Sequence, residues 1–126
     1  MIPKFRAWNT KSGRFAKDGE LFLSIDSENY NLYSVDFDNF RLENDNYILM
    51  QSTGLKDKNG VEIFEGDVVI NRYGNYYTPI YQNGIYMAYK PDKIHKDLVV
   101  TQFNIIVREG CEVVGNIFED GDLIDG

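Results

Sequence analysis

The residues able to do chemistry are few and scattered in this sequence. It holds one histidine, His95, one cysteine, Cys111, and twenty Asp and Glu. A general base needs an orienting partner and a nucleophile beside it. Nothing around His95 supplies either, so it reads as a surface histidine. Acids close to Cys111 disfavour its thiolate, and a small buried hydrophobe is the better reading of that residue. No Cys/His spacing suits zinc. Asp57, Asn59 and Glu65, with Gly60 in the run, look superficially like an oxygen-ligand loop for calcium. They lack the regular alternation of acids and a terminal bidentate Glu at the right offset. Asp36/Asp38 and Asp120/Asp122 are pairs that chance alone produces among twenty acids. Gly110 and Gly115 are turn glycines at the wrong spacing for a phosphate loop. The expectation is a chain with no catalytic residue, no metal and no cofactor, hence not an enzyme.

A different chemistry stands out between residues 71 and 93. Six tyrosines, Tyr73, Tyr76, Tyr77, Tyr81, Tyr86 and Tyr89, are interleaved there with Gly74, Gly84, Asn71, Asn75, Asn83 and Pro79. Tyrosine joins a large apolar ring to a hydroxyl at low entropy cost, which is why it concentrates at contact surfaces. These six are the candidate contact surface; the bland alternative is that several alternate into the core. A second use of the same strip is stacking on single-stranded nucleic acid, with Arg72, Lys90, Lys93 and Lys96 as a basic rim. A hydrolase built on unrecognised carboxylates ranks last.

The elements that must hold this surface are short strands. Tyr47 to Val69 is a β-meander written in local rules. An apolar run, Tyr47–Gln51, leads through Thr53-Gly54 to Asp57-Lys58-Asn59-Gly60, the strongest hairpin signal in the chain. Asn-Gly there favours a type I′ turn, with positive φ at both residues. Val61–Phe64 resumes the strand, and Glu65-Gly66-Asp67 turns it into Val68–Ile70. Phe5–Trp8 and Arg14-Phe15 form an opening hairpin around Asn9–Gly13, with Phe5, Ala7 and Phe15 on one face and Trp8 on the other. Leu21–Ile25, Leu32–Phe37, Phe40–Leu42, Leu98–Val100, Phe103–Val107 and Glu112–Phe118 complete the strand candidates. No amphipathic pattern reaches helical length, so the chain is mainly β with little helix. The expected core is Phe5, Ile48, Met50, Ile63, Val69, Val114 and Ile117.

Composition and charge set the class. The 126 residues are one domain's worth, 43% hydrophobic with three prolines, hence globular. No apolar stretch approaches a membrane span, the N-terminus carries no secretory h-region, and a lone cysteine suits a reducing compartment. The expected setting is the cytoplasm. The net charge of −7 is uneven: residues 1–19 set five Lys/Arg against Asp18, while residues 20–47 set seven acids against Arg41. A net acidic surface repels phosphate backbones, which argues against nucleic acid as a partner.

Three segments together carry a family resemblance: Lys4-Phe5-Arg6-Ala7-Trp8, the run Tyr47–Val69, and Glu112-Val113-Val114-Gly115-Asn116-Ile117-Phe118-Glu119. With them in order along its length, the chain resembles the YopX-like family of small bacteriophage and prophage proteins. The resemblance implies one β-rich domain over 1–126, its short antiparallel strands curled into a small barrel or pseudo-barrel, with 71–93 as an insert or hairpin. It also implies an oligomer and leaves the function undefined. Taken with the tyrosine strip, it leads to the expectation of a homo-oligomeric phage or prophage accessory protein acting by protein–protein contact in the bacterial host cytoplasm, with a host protein as a possible partner. It names no reaction. The family often ends its last motif in Asn-Pro and a short apolar helix, where this chain has the acidic stretch 120–126.

Overall fold

The computed structural model describes residues 4–17, 20–25, 30–36, 39–42, 45–90 and 98–119. Among them the chain is mainly β, 61% strand with one short helix, and one of its antiparallel sheets curls into a half-barrel. This is consistent with the small-barrel or pseudo-barrel class that the family resemblance implies. The chain divides into two compact bodies, one of Phe5–Met50 and one of Met1–Lys4 with Gln51–Gly126.

In the first body, β1 (Phe5–Asn9) pairs with β2 (Arg14–Phe15) in a hairpin. Its turn is held by the Asn9 side chain, whose Oδ1 accepts from the N–H groups of Lys11 at 2.9 Å and Ser12 at 3.0 Å. Phe15 lies directly opposite Trp8, and the two rings meet edge to face at 4.8 Å. The expected grouping of Phe15 with Phe5 and Ala7 is thus wrong. Residues that pair across an antiparallel ladder share a face, and the turn sets Trp8 against Phe15. Both Ala7 and Trp8 are buried, so β1 is covered on both sides. A second set of strands, β3 (Leu21–Ile25), β4 (Tyr30–Asp36) and β5 (Asn39–Leu42), forms a three-stranded antiparallel sheet with Leu23 opposite Leu32.

Strand β6 (Tyr47–Lys56) runs from the first body into the second, where it pairs with β7 (Glu62–Phe64). The rest of the second body is a five-stranded antiparallel sheet of β8 (Asp67–Asn71), β9 (Tyr76–Gln82), β10 (Ile85–Lys90), β11 (Leu98–Gln102) and β12 (Cys111–Asn116). Its order is β11-β10-β9-β8-β12. Between β11 and β12 lies α1 (Phe103–Glu109), over residues expected to be strand. Phe103, Ile106 and Val107 sit at i, i+3 and i+4. The first two are buried and Val107 packs against the same core, while Gly110 at φ 105° ends the helix. A pattern seven residues long is too short to tell from a strand by periodicity, and packing decides it.

The core of this body is Ile63, Val69, Tyr77, Ala88, Phe103, Ile106 and Cys111, with Leu55, Tyr86, Val107 and Val113 against it. Of the seven residues expected inside, Met50, Ile63 and Val69 are buried and Phe5 is half-buried, each within its own body. Ile48, Val114 and Ile117 are exposed. Ile48 stands near the start of its strand, and Ile117 follows the end of β12. Val114 sits where the register between β8 and β12 slips between Val113 and Gly115, so simple alternation fails there.

Candidate contact surface

Over its described residues, 71–90, the tyrosine-rich segment is a turn and a hairpin of the five-stranded sheet. The turn, residues 71–75, is organised by one side chain: Asn71 Oδ1 accepts from the N–H groups of Tyr73 at 3.0 Å and Asn75 at 2.9 Å. Gly74 adopts φ 81° and donates its N–H to the Asn71 carbonyl. The hairpin joins β9 to β10 through Asn83-Gly84, with Gln82 opposite Ile85. Asn83 and Gly84 have φ of 51° and 85°, the positive pair that a type I′ turn demands.

The turn at Asp57–Gly60 takes another form. Gly60 has φ 82°, whereas Asn59 does not lie in the positive-φ region. The Gly60 N–H closes on the Asp57 carbonyl at 3.0 Å, and Asp57 N–H donates to the Val61 carbonyl. This is a three-residue loop ending in a left-handed glycine, not the expected I′ turn. Asp57 is the reason. Its Oδ1 accepts from the N–H groups of Asn59 at 2.8 Å and Val61 at 2.9 Å, which a two-residue loop has no room to offer.

The six tyrosines divide. Tyr73 and Tyr81 are exposed, at 66% and 59%, and Tyr76 and Tyr89 are half-buried. Tyr77 is a core residue opposite Val69, and that removes it from the free surface. Pairing across the ladder puts Tyr81 and Tyr86 side by side on the face that also carries Tyr77, Pro79 and Ala88. Tyr86 leans toward the core, and Tyr81 covers its edge at 5.1 Å and 67°. Ile85, 46% exposed, points to the opposite face beside Gln82. Ile85 was not foreseen as a contact residue; the Asn83-Gly84 pair before it is the signal that could have placed it at a hairpin tip. Tyr73 carries the Arg72 guanidinium over its ring at 4.8 Å, with Nη2 donating to the hydroxyl at 2.6 Å. Lys90 donates to Asn75 Oδ1 at 3.2 Å. Lys93, Lys96, His95 and the stretch 120–126 lie outside the described residues.

Several ionisable groups in this body are shifted by their surroundings. Burial, helped by Glu65 and Tyr81, pushes the Tyr86 phenol up to about 12. Burial, helped by Asp57, pushes the Cys111 thiol up to about 11, where it is neither nucleophile nor ready metal ligand. Burial alone would raise the Asp57 carboxyl. The N–H groups of Val113, Val61 and Asn59, with Lys58 nearby, overcome that and hold it below its ordinary value. Among the described residues no three His, Cys, Asp or Glu side chains stand close enough to hold a metal. No helix among them is long and apolar enough to cross a membrane.

The fold and its described surface define a mainly β, antiparallel protein with exposed tyrosine rings at Tyr73 and Tyr81. The family model of the YopX protein matches residues 4–125, and the chain belongs to the YopX family. It is similar to protein EF1440 from Enterococcus faecalis, whose crystal structure superposes with a TM-score of 0.59 at 30% sequence identity, covering 98% of this chain and 99% of that one. No curated protein matches the chain.

Proposed function

We propose that the protein is a non-enzymatic accessory protein of bacteriophage or prophage type, acting in the host cytoplasm by protein–protein contact, with its own copies among the partners. Family membership supports the phage-type setting. The observation that carries the contact reading is the β9–β10 hairpin tip, where Tyr81 and Ile85 stay exposed on opposite faces beside a two-residue turn. Large apolar side chains held on ordered backbone gain contact area at little entropy cost. The nucleic-acid reading draws less support. Arg72 is stacked on Tyr73 and Lys90 is bonded to Asn75, so neither stands ready for phosphate.

Sedimentation velocity at micromolar concentration is the test. The expected result is a species heavier than the 14.6 kDa monomer that Tyr81→Ala with Ile85→Ala reduces to monomer while the domain stays folded. A wild-type chain that sediments only as monomer refutes self-association. Oligonucleotide binding that weakens steeply with salt would shift the reading to nucleic acid.

A further inference from the structure

The chain holds two Asn-Gly pairs, Asn59-Gly60 and Asn83-Gly84, and all four residues are exposed. Such a pair is chemically fragile. The glycine nitrogen, once deprotonated, can attack the asparagine Cγ, and glycine has no side chain to hinder the approach. By sequence the two pairs are alike; the fold treats them differently.

In the turn at 57–60 the nucleophile is held. Gly60 N–H donates to the Asp57 carbonyl at 3.0 Å, and Asn59 N–H donates to Asp57 Oδ1 at 2.8 Å. The electrophile is held as well, since Asn59 Nδ2 donates to Glu112 Oε1 at 3.4 Å. The Asp57 carboxylate, kept ionised by the N–H groups it accepts, disfavours a second negative charge on the nearby Gly60 nitrogen. At the β9–β10 tip these restraints are missing. The Gly84 N–H has no acceptor among the described residues, and the Asn83 side chain has no hydrogen bond among them.

We propose that Asn83 is a site of spontaneous deamidation and isomerisation, and that Asn59 is protected by its turn. The Gly84 nitrogen gives its proton to solvent and bonds to Asn83 Cγ. The Cγ–Nδ2 bond then breaks, and the leaving nitrogen takes a proton from water and departs as ammonia. A five-membered succinimide remains, and water opens it. Breaking the bond from the Gly84 nitrogen to Cγ gives aspartate on an unchanged main chain. Breaking the bond from that nitrogen to the main-chain carbonyl carbon gives isoaspartate, whose main chain runs through Cγ. The sum is asparagine and water to an acid and ammonia.

Either product puts a carboxylate on the tip between Tyr81 and Ile85. Isoaspartate also lengthens the two-residue loop by one methylene, which disturbs the pairing of Gln82 with Ile85. The Tyr81 hydroxyl reaches back toward that loop, 3.9 Å from where a Gly84 Cβ would stand. Under the contact reading, on which this consequence rests, modification at Asn83 weakens self-association.

The test is peptide mapping by mass spectrometry after incubating the whole protein at mildly alkaline pH, once folded and once in denaturant. Unfolded, both pairs should convert at similar rates, because the turn contacts are gone. Folded, Asn83 should convert faster than Asn59 by about fivefold, the protection that one net backbone hydrogen bond gives Gly60. Asn83→Gly keeps a turn-compatible pair and should abolish the mass gain in the peptide that also carries Asn75 and Gln82. Similar folded rates at the two pairs overturn the proposal. So does an Asn83 that stays intact through prolonged folded incubation, or a mass gain that survives Asn83→Gly. The acidic fraction, separated by ion exchange, should then sediment closer to monomer than intact protein, and unchanged association overturns the consequence. A chain that is monomeric from the outset refutes the contact reading alone, and the mapping still decides the site.

Discussion

The carboxylate of Asp57 accepts a hydrogen bond at 2.9 Å from the backbone N–H of Val113, 56 residues further along the chain. The neighbouring Lys58 N–H donates to the Cys111 carbonyl, so Asp57 and Lys58 together occupy outward-facing groups at the start of β12. β12 is an edge strand of its sheet, and an open edge is a template for unwanted pairing. The turn at 57–60 covers part of that edge with a side chain instead of a strand.

Asp57→Asn should therefore destabilise the second body by about 1–3 kcal/mol, because an amide oxygen replaces a charged acceptor of three N–H groups. The folded-state carboxyl is held low, so its contribution is present above the unfolded value and is lost as pH falls through the folded one. Denaturant midpoints taken through the acid range should show wild type losing stability faster than the Asn variant. Parallel curves would remove Asp57 as the acid-sensitive group.

Cys111 is buried with its thiol pushed up to about 11. At mildly alkaline pH it should resist alkylation in the native protein and react at once in denaturant. Its folded value lies above the unfolded ~8.5, so the linked stability is complete below that pH and declines toward 11. Rapid native labelling, measured by mass, would contradict the burial.

The Tyr86 hydroxyl is buried with no hydrogen-bond partner. Removing an unsatisfied group relieves its desolvation cost, so Tyr86→Phe should be neutral or stabilising by about 1 kcal/mol. A thermal melt reads this directly. A loss of 1 kcal/mol or more would mean that the hydroxyl is engaged in solution.

Gly60 and Gly84 both hold positive φ, 82° and 85°, in open space or ordinary contact. Val at either position should cost about 1–3 kcal/mol through the backbone alone. Asn83→Val should add a comparable cost, whereas Asn59→Val should not, since only the Asn83-Gly84 turn requires positive φ at both residues. Equal melting of the Asn83 and Asn59 variants would mean that the two turns are of one type.

Much of the architecture was legible locally. Asp57–Gly60 and Gly66-Asp67 announce turns because Gly, Asn and Asp satisfy or permit special backbone, and that chemistry acts over four residues. The absence of a helical repeat announced a mainly β chain, which the sheets bear out. Ile63 and Val69 read as core and are fully buried. What local rules could not supply was which side of a strand is covered. In β9, Tyr77, Thr78 and Pro79 are all buried in succession, so alternation carries no information about which tyrosines reach the surface. Only the neighbours that reach each residue, β8 opposite Tyr77 and the α1 residues in one core with it, separate the buried Tyr77 from the exposed Tyr81. The same holds for α1, where seven residues take helical form because Phe103 and Ile106 find a core to fill. It holds again for Asp57, whose sequence neighbours specify a turn but whose bond to Val113 exists only once β12 has come alongside β8. Turn chemistry is a property of a few adjacent residues and survives in the sequence. Burial is a property of what packs from afar, and only the folded chain decides it.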